Sequence, residues 1–313
     1  MARRTSLITK GLRQTIALLL LAASCVPATA QPVERGKSFR DCFDCPEMVV
    51  ISAGTLSVGT LDAETAPLEN VEPPHTVAIA RALAVGRFEV TKVQFAYFVQ
   101  QTRYPAGDSC FAWNGGKYAR DPTKDWRNPG FAQKDSEPVV CINWYDAKAY
   151  ANWLAKKTGK PYRLLTGEEW EYAARAGKKE VWPWGDSEAG ACDYANVADA
   201  ATKRGVPGTN FWKFHGCDDG HAYTAPVGSY PPNAFGLYDM IGNVWEWTED
   251  CVVDADVPPV VTGADKPAGE CAQRVLRGGS WVDSPFFVRY DFRFRLNAND
   301  RDFYAGFRVA RPR

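Results

Sequence analysis

Apolar side chains recur along this chain at three spacings, and each spacing predicts a different kind of segment. Helical spacing is confined to three places. Thr91-Lys92-Val93-Gln94 is a capping box, in which a hydroxyl and an amide three residues apart satisfy each other's backbone N–H groups. It opens a helix with Val93, Tyr97 and Phe98 on its apolar side. A second helix starts at Asn143 with Asp146 three residues on, buries Ala147, Tyr150, Ala151 and Leu154, and stops at Gly159. A third opens on Thr166-Gly167-Glu168-Glu169, another capping box, runs from Trp170 to Ala176 and ends at Gly177. Period-two alternation marks strands. Residues 48–51 and 55–58 flank Ser52-Ala53-Gly54 as a hairpin. Val288, Tyr290, Phe292, Phe294 and Leu296 alternate with Arg289, Asp291, Arg293, Arg295 and Asn297, which predicts a half-buried strand with one charged face. Phe307 and Val309 alternate with Arg308 and Ala310 in a last strand. The remainder is dense in Gly, Pro, Asn and Asp, too rich in turns for a parallel sheet with crossover helices. The predicted class is α+β with little regular structure, and the stretches 31–47 and 254–270 are its least structured parts.

The third spacing is a continuous apolar run at 16–23. Arg3, Arg4, Lys10 and Arg13 precede it, and Ala28-Thr29-Ala30 follows as a cleavage site. The run is shorter than the roughly 20 residues that span a bilayer, and no later segment reaches that length, so no transmembrane anchor is expected. The pattern is that of a signal peptide over 1–30, which places the mature chain in the periplasm or outside the cell. Two alternatives fit less well. A twin-arginine signal would want an apolar residue where Ser6 stands, and lipidation at Cys25 would want leucine rather than Ala22.

Export changes how the cysteines read. Beyond Cys25 there are eight, and an even number in an oxidising compartment argues for disulfides. Eight cysteines allow 105 pairings. Joining sequence neighbours is the economical one: Cys42–Cys45, Cys110–Cys141, Cys192–Cys217 and Cys251–Cys271. Closing loops of this size contributes about 3 kcal/mol each in the chain-entropy account. Cys42-Phe43-Asp44-Cys45 is also a CxxC, but no βαβ pattern surrounds it, so it is taken as a strut.

Composition removes several function classes. The chain has 37 basic and 37 acidic residues, so no net field attracts nucleic acid or an anionic membrane. Its three histidines, His75, His215 and His221, have no metal-ligand spacing. Signatures of nucleotide enzymes, zincins and α/β-hydrolases are missing.

Several longer strings resemble those of the formylglycine-generating enzyme, or sulfatase-modifying-factor, family. They are 161–177 (PYRLLTGEEWEYAARAG), Trp184-Gly185, Ala195-Asn196-Val197, 224–228 (TAPVG), 232–247 (PNAFGLYDMIGNVWEW), Arg277-Gly278-Gly279-Ser280-Trp281 and Gly306-Phe307-Arg308. They come in family order and imply a domain over 47–313, preceded by an extension over 31–46 that carries the CxxC. The resemblance implies a variant of the C-type-lectin fold and two structural Ca²⁺ sites. One would use Asp239, the carbonyls of Gly242 and Val244, and Glu246. The other would use Asn196, the Val197 carbonyl, Asp219 and the His221 carbonyl. Hard oxygen donors within tight loops suit Ca²⁺.

In that family two cysteines just after the Gly-Gly-Ser turn bind copper(I) and exchange with the substrate thiol, since soft thiolates suit Cu(I) and a thiolate is the exchange nucleophile. Here the turn is followed by 282–289 (VDSPFFVR), and no cysteine occurs from 272 to the end. Asp283 and Val288 stand near the two cysteine positions, so copper is not expected. The candidate groove is then Ser280, Trp281, Asp283, Arg289, Arg293 and Trp245, fit for a peptide or small polar ligand. Trp113, Tyr118 and Trp126, on a Gly- and Asp-rich loop, are further candidates for its wall, with packing of their own loop the favoured reading. The expectation is an exported maturation or tailoring factor for a peptide, protein or peptidic metabolite. The family contains iron-dependent sulfoxide synthases, whose histidine-bearing helical domain this chain lacks, and an exported protein of pyoverdine maturation. The alternatives are a calcium-stabilised binding or envelope scaffold module and, further off, a true formylglycine-generating oxidase.

Overall fold

Two four-stranded sheets carry most of the strand structure in the computed structural model, which describes Met1 and residues 37–59, 74–185, 187, 189–252 and 271–313. The expected signal peptide and the stretch 254–270 lie outside the described residues. In chain order, β1 (Ser38–Phe39), β2 (Met48–Ile51), β3 (Gly54–Val58), β4 (His75–Ile79) and β5 (Leu83–Gly86) precede α1 (Lys92–Thr102). β6 (Cys110–Trp113) and β7 (Tyr118–Asp121) form a ribbon ahead of α2 (Trp144–Thr158) and α3 (Gly167–Arg175). A 3-10 turn at Ala191–Asp193 and α4 (Ala200–Gly205) follow. The last strands are β8 (Trp245–Val252), β9 (Gln273–Arg277), β10 (Phe294–Asn297), β11 (Ala305–Gly306) and β12 (Ala310–Pro312). One sheet has the order β1-β2-β5-β12 and is antiparallel throughout, so strands from both ends of the chain share it. The other has the order β10-β9-β8-β11, with β11 parallel to β8. This is the turn-rich α+β architecture that the sequence predicts.

All three predicted helices form on their predicted caps. The side-chain oxygens of Thr91, Asn143 and Thr166 accept from the backbone N–H groups of Gln94, Asp146 and Glu169, and each partner side chain bonds back. α2 buries Ala147, Tyr150, Ala151 and Leu154 as expected and ends at Gly159 in the left-handed conformation. α3 stops one residue early, with Ala176 already left-handed. The apolar side of α1 needs correcting. Val93 is 49% exposed, and the buried pair is Phe95 and Phe98. Phe95 packs edge-on against Trp126 and Phe307, a larger apolar area than Val93 could bury. α4 carries no apolar stripe in the sequence. It rests on the Asp199 carboxylate, which accepts from the N–H groups of Ala201 and Thr202.

The strands depart further from expectation. β2 and β3 do not pair as a hairpin. β2 pairs with β5, while β3 leaves to pair with β4. The reason is burial, since all four β2 side chains are covered and the strand needs a partner on each edge. The predicted strand across Val288–Leu296 is regular only over β10. From Val288 to Arg293 both alternating sets are buried, because the charged set is neutralised internally rather than solvated. Phe307, Arg308 and Val309 are likewise buried on both sides, and pairing resumes only at β12.

All four predicted disulfides are present. Cys251–Cys271 clasps the paired ends of β8 and β9. Cys110–Cys141 ties the start of β6 to the turn before α2, and both segments hydrogen-bond the backbone around Asp302. The core holds four fully buried tryptophans, Trp170, Trp245, Trp247 and Trp281. The Gly-Gly turn after β9 sits against it. Gly279 has a φ of +76°, and a Cβ there would lie 2.9 Å from Val288 Cα, so only glycine lets these segments approach.

Candidate functional site

A pocket of about 390 Å³ opens where the segment after this turn meets the β6–β7 ribbon. Trp113, Tyr118, Trp212, Phe303 and Tyr304 supply aromatic wall, while Val282, Asp283 and Ser284 follow directly from the turn. The Trp113 and Trp212 rings are 5.1 Å apart edge to face, and Tyr118 stacks on Tyr304 at 6.4 Å. The Trp113 indole N–H is spent on the Pro207 carbonyl at 2.7 Å. Asp283 accepts from the Ser280 hydroxyl, and its backbone N–H donates to the Ser280 carbonyl at 3.1 Å. Desolvation pushes its carboxyl up to about 6, against the pull of the Ser280 and Trp245 donors. Behind Tyr118 and Tyr304 lies the fully buried Asp302, which accepts from the Tyr118 hydroxyl. Burial drives Asp302 well above the ordinary carboxylate range.

The predicted groove residues divide. Asp283 lines the pocket, and Ser280 orients it from below. Trp245 and Trp281 are buried behind, Trp245 stacked on Phe294 and Trp281 packed edge-on against Phe303. Arg289 and Arg293 are absent from the lining. Arg289 forms a bidentate pair with Asp291 at 2.9 and 3.0 Å, and Arg293 acts on the buried Asp250 beneath the start of α3. Of the three further wall candidates, Trp113 and Tyr118 are in place, and Trp126 belongs to the core.

A second feature is built from buried oxygens. Asp219 accepts from the N–H groups of Val197 and His221 at 3.0 and 2.8 Å, which folds the two segments around one carboxylate. Burial pushes Asp219 up to about 7, and the charges on Asp199 and Asp218 add to this. Asn196 donates to the Tyr223 carbonyl and to Asn243, while its own side-chain oxygen is buried without a partner. Nearby, Glu246 takes Arg308 on both oxygens at 2.6–2.8 Å and the Trp170 indole at 2.8 Å. Asp239 accepts from Gly228 N–H at 2.6 Å, and burial pushes it up to about 6. The two places abut, because Gly242, at a φ of +81°, brings its backbone so close to the Asn196 carbonyl that a Cβ would lie 2.5 Å from it.

Comparison with known proteins places this geometry. Residues 34–313 match the sulfatase-modifying factor enzyme 1-like domain. The chain belongs to that family. The formylglycine-generating enzyme of Streptomyces coelicolor is 31% identical over 293 residues, covering 83% of this chain and 86% of that protein. The mouse protein named inactive Cα-formylglycine-generating enzyme 2 is 32% identical over 272 residues, covering 76% of this chain and 75% of that one. Among solved structures, PvdO from Pseudomonas aeruginosa superposes with a TM-score of 0.72 at 35% identity, covering 90% of this chain and 99% of that one.

Within this sulfatase-modifying-factor scaffold, sequence reasoning missed Glu89. It is 1% exposed, accepts from Asn243 Nδ2 at 3.1 Å, and has a second oxygen with no hydrogen-bond donor. Its only signal was an acid between Phe88 and Val90 just ahead of a capping box. Burial, then the neighbouring Asp239, pushes Glu89 far above the ordinary range. Three buried carboxyls, Glu89, Asp239 and Glu246, thus face one guanidinium, Arg308. That excess of hard oxygen fits a divalent cation, as does the unpartnered Asn196 oxygen beside Asp219. Among the described residues every cysteine is in a disulfide, so none presents a thiolate beside the pocket.

Proposed function

We propose that this protein is an exported member of the family that matures or tailors a peptide, a protein or a peptidic metabolite without copper-thiolate chemistry. The observation that carries this reading is the pocket after the Gly278-Gly279 turn. It has the volume of a small-ligand site and a carboxyl where the family resemblance expects a cysteine. The substrate would seat in the aromatic wall, with Asp283, held by Ser280, as the polar group that meets it. Ca²⁺ would be held by Asp239, Glu246 and the carbonyls of Gly242 and Val244, and by Asn196, Asp219 and the carbonyls of Val197 and His221. There it would neutralise buried charge and brace loops. No helix among the described residues is long and apolar enough to cross a membrane. The N-terminal apolar run and four disulfides support export.

Identity alone does not decide catalysis, since relatives named as active and as inactive enzymes are about equally similar. A non-catalytic binding module is therefore the second reading. Comparing exported peptides, sulfatases and secreted metabolites between a deletion strain and its parent separates the two. Loss of one product, restored by the parent gene and not by Asp283→Asn, supports tailoring. An unchanged product profile, with a stoichiometric partner retained by both forms, supports the binding module.

A further inference from the structure

Across this fold, buried acids are matched by arginine. Glu171 pairs with Arg175 and Arg277, Asp146 with Arg301, Asp291 with Arg289, and Asp41 with Arg311. Carboxyls outside these arginine pairs include Glu89, Asp239, Asp219 and its neighbour Asp199, where a cation is expected from outside, and Glu137, which takes the Thr224 hydroxyl at 2.7 Å. The pocket holds two more of this kind. Among the described residues, neither Asp283 nor Asp302 has a lysine, arginine or histidine within ion-pair distance. On the protein side Asp283 meets the neutral Ser280 and Trp245 donors, and Asp302 meets the Tyr118 and Tyr304 hydroxyls and the Phe303 backbone N–H. The lining's one cation is Lys213, a solvent-exposed residue on the rim.

Around these acids the wall is aromatic. An aromatic face attracts a cation through its quadrupole, and the attraction grows when the cation is desolvated. Tyr118 donates its hydroxyl proton toward Asp302, which leaves its ring richer in electrons. A metal ion is a poor fit, because Ca²⁺ takes six to eight oxygens and Mg²⁺ an octahedron of them, whereas this wall is mostly carbon. An alkyl-borne ammonium or guanidinium suits it, with stem and charge against the rings and one carboxylate as counter-ion.

We infer that the pocket recognises an organic cation, the ammonium or guanidinium of a basic side chain in a peptide or peptidic substrate, held by the Trp113, Trp212 and Tyr304 wall and countered by Asp283. This rests on the tailoring reading and names the chemical class of its substrate.

The test uses purified, calcium-loaded mature protein and capped tripeptides, acetyl-Gly-X-Gly-amide, with binding read by calorimetry and tryptophan fluorescence. X is lysine or arginine, against the neutral shape-matched norleucine or citrulline. At least one basic peptide is expected to bind tenfold or more tighter than its neutral match. Asp283→Asn should remove most of that preference. Lys213→Glu, a change on the exposed rim, should tighten the basic peptide several-fold. Lysine preferred over arginine identifies an ammonium, and the reverse identifies a guanidinium. Equal binding of charged and neutral peptides overturns the inference and leaves the tailoring reading standing. A charge preference that survives Asp283→Asn overturns it as well. Absence of binding by every peptide, together with an unchanged product profile in the deletion strain, overturns both.

Discussion

Among the described residues Arg308 is the guanidinium that faces Glu89, Asp239 and Glu246, and both oxygens of Glu246 already occupy it. Burying an unpaired carboxylate costs several kcal/mol, which the protein avoids by protonation or by binding a cation. The two routes make opposite demands on Glu89. In calcium-free buffer Glu89→Gln is expected to hold or raise the melting temperature, since it removes charge that nothing offsets. With saturating calcium the parent should gain about 2.7 kcal/mol at a hundredfold excess over Kd, and the variant should lose most of that gain. Thermal unfolding with EDTA and with added calcium reads both effects. An equal calcium-dependent rise in parent and variant would remove Glu89 from the proposed cation site. At this scale the sequence was partly legible. Family strings put Asp239, Glu246, Asn196 and Asp219 forward as proposed ligands, whereas Glu89 had no such string and its partner Asn243 is 154 residues away.

Helices were the most legible elements, because a capping box is local chemistry. Thr91, Asn143 and Thr166 each needed only a partner three residues on. Strands were not, because their partners lie far off in the sequence. β2 finds β5 rather than its neighbour β3, and the alternation at 288–293 signals buried ion pairs such as Arg289–Asp291 rather than a solvated face. The pocket was legible through the Gly-Gly-Ser turn and hidden in its far wall, where Trp212 and Tyr304 arrive from remote loops. That turn is also where one methyl group should matter most. Gly279→Ala places a Cβ against Val288 Cα in a left-handed conformation that by itself costs an L-residue about 1–2 kcal/mol. Urea denaturation is expected to show a loss of at least that size, and ligand binding should weaken along with it because Asp283 follows the turn by four residues. Unchanged stability would mean that Val288 yields without cost.

For the whole molecule, the disulfides and the proposed lack of copper-thiolate chemistry are one account. Four disulfides consume eight cysteines and fix the segments that build the site: Cys110–Cys141 braces the backbone around Asp302, Cys192–Cys217 braces the Asp219 loop, and Cys251–Cys271 locks β8 to β9. Among the described residues every cysteine of this scaffold is in a disulfide, so none presents a free thiolate for metal or exchange. The most direct measurement is a thiol count on denatured, unreduced protein from the exported fraction, paired with competitive titration of the native protein by Cu(I). The account expects no free thiol and no stoichiometric copper. Two free thiols at Cys251 and Cys271, with one Cu(I) bound per chain, would contradict it and return the protein to oxidase chemistry.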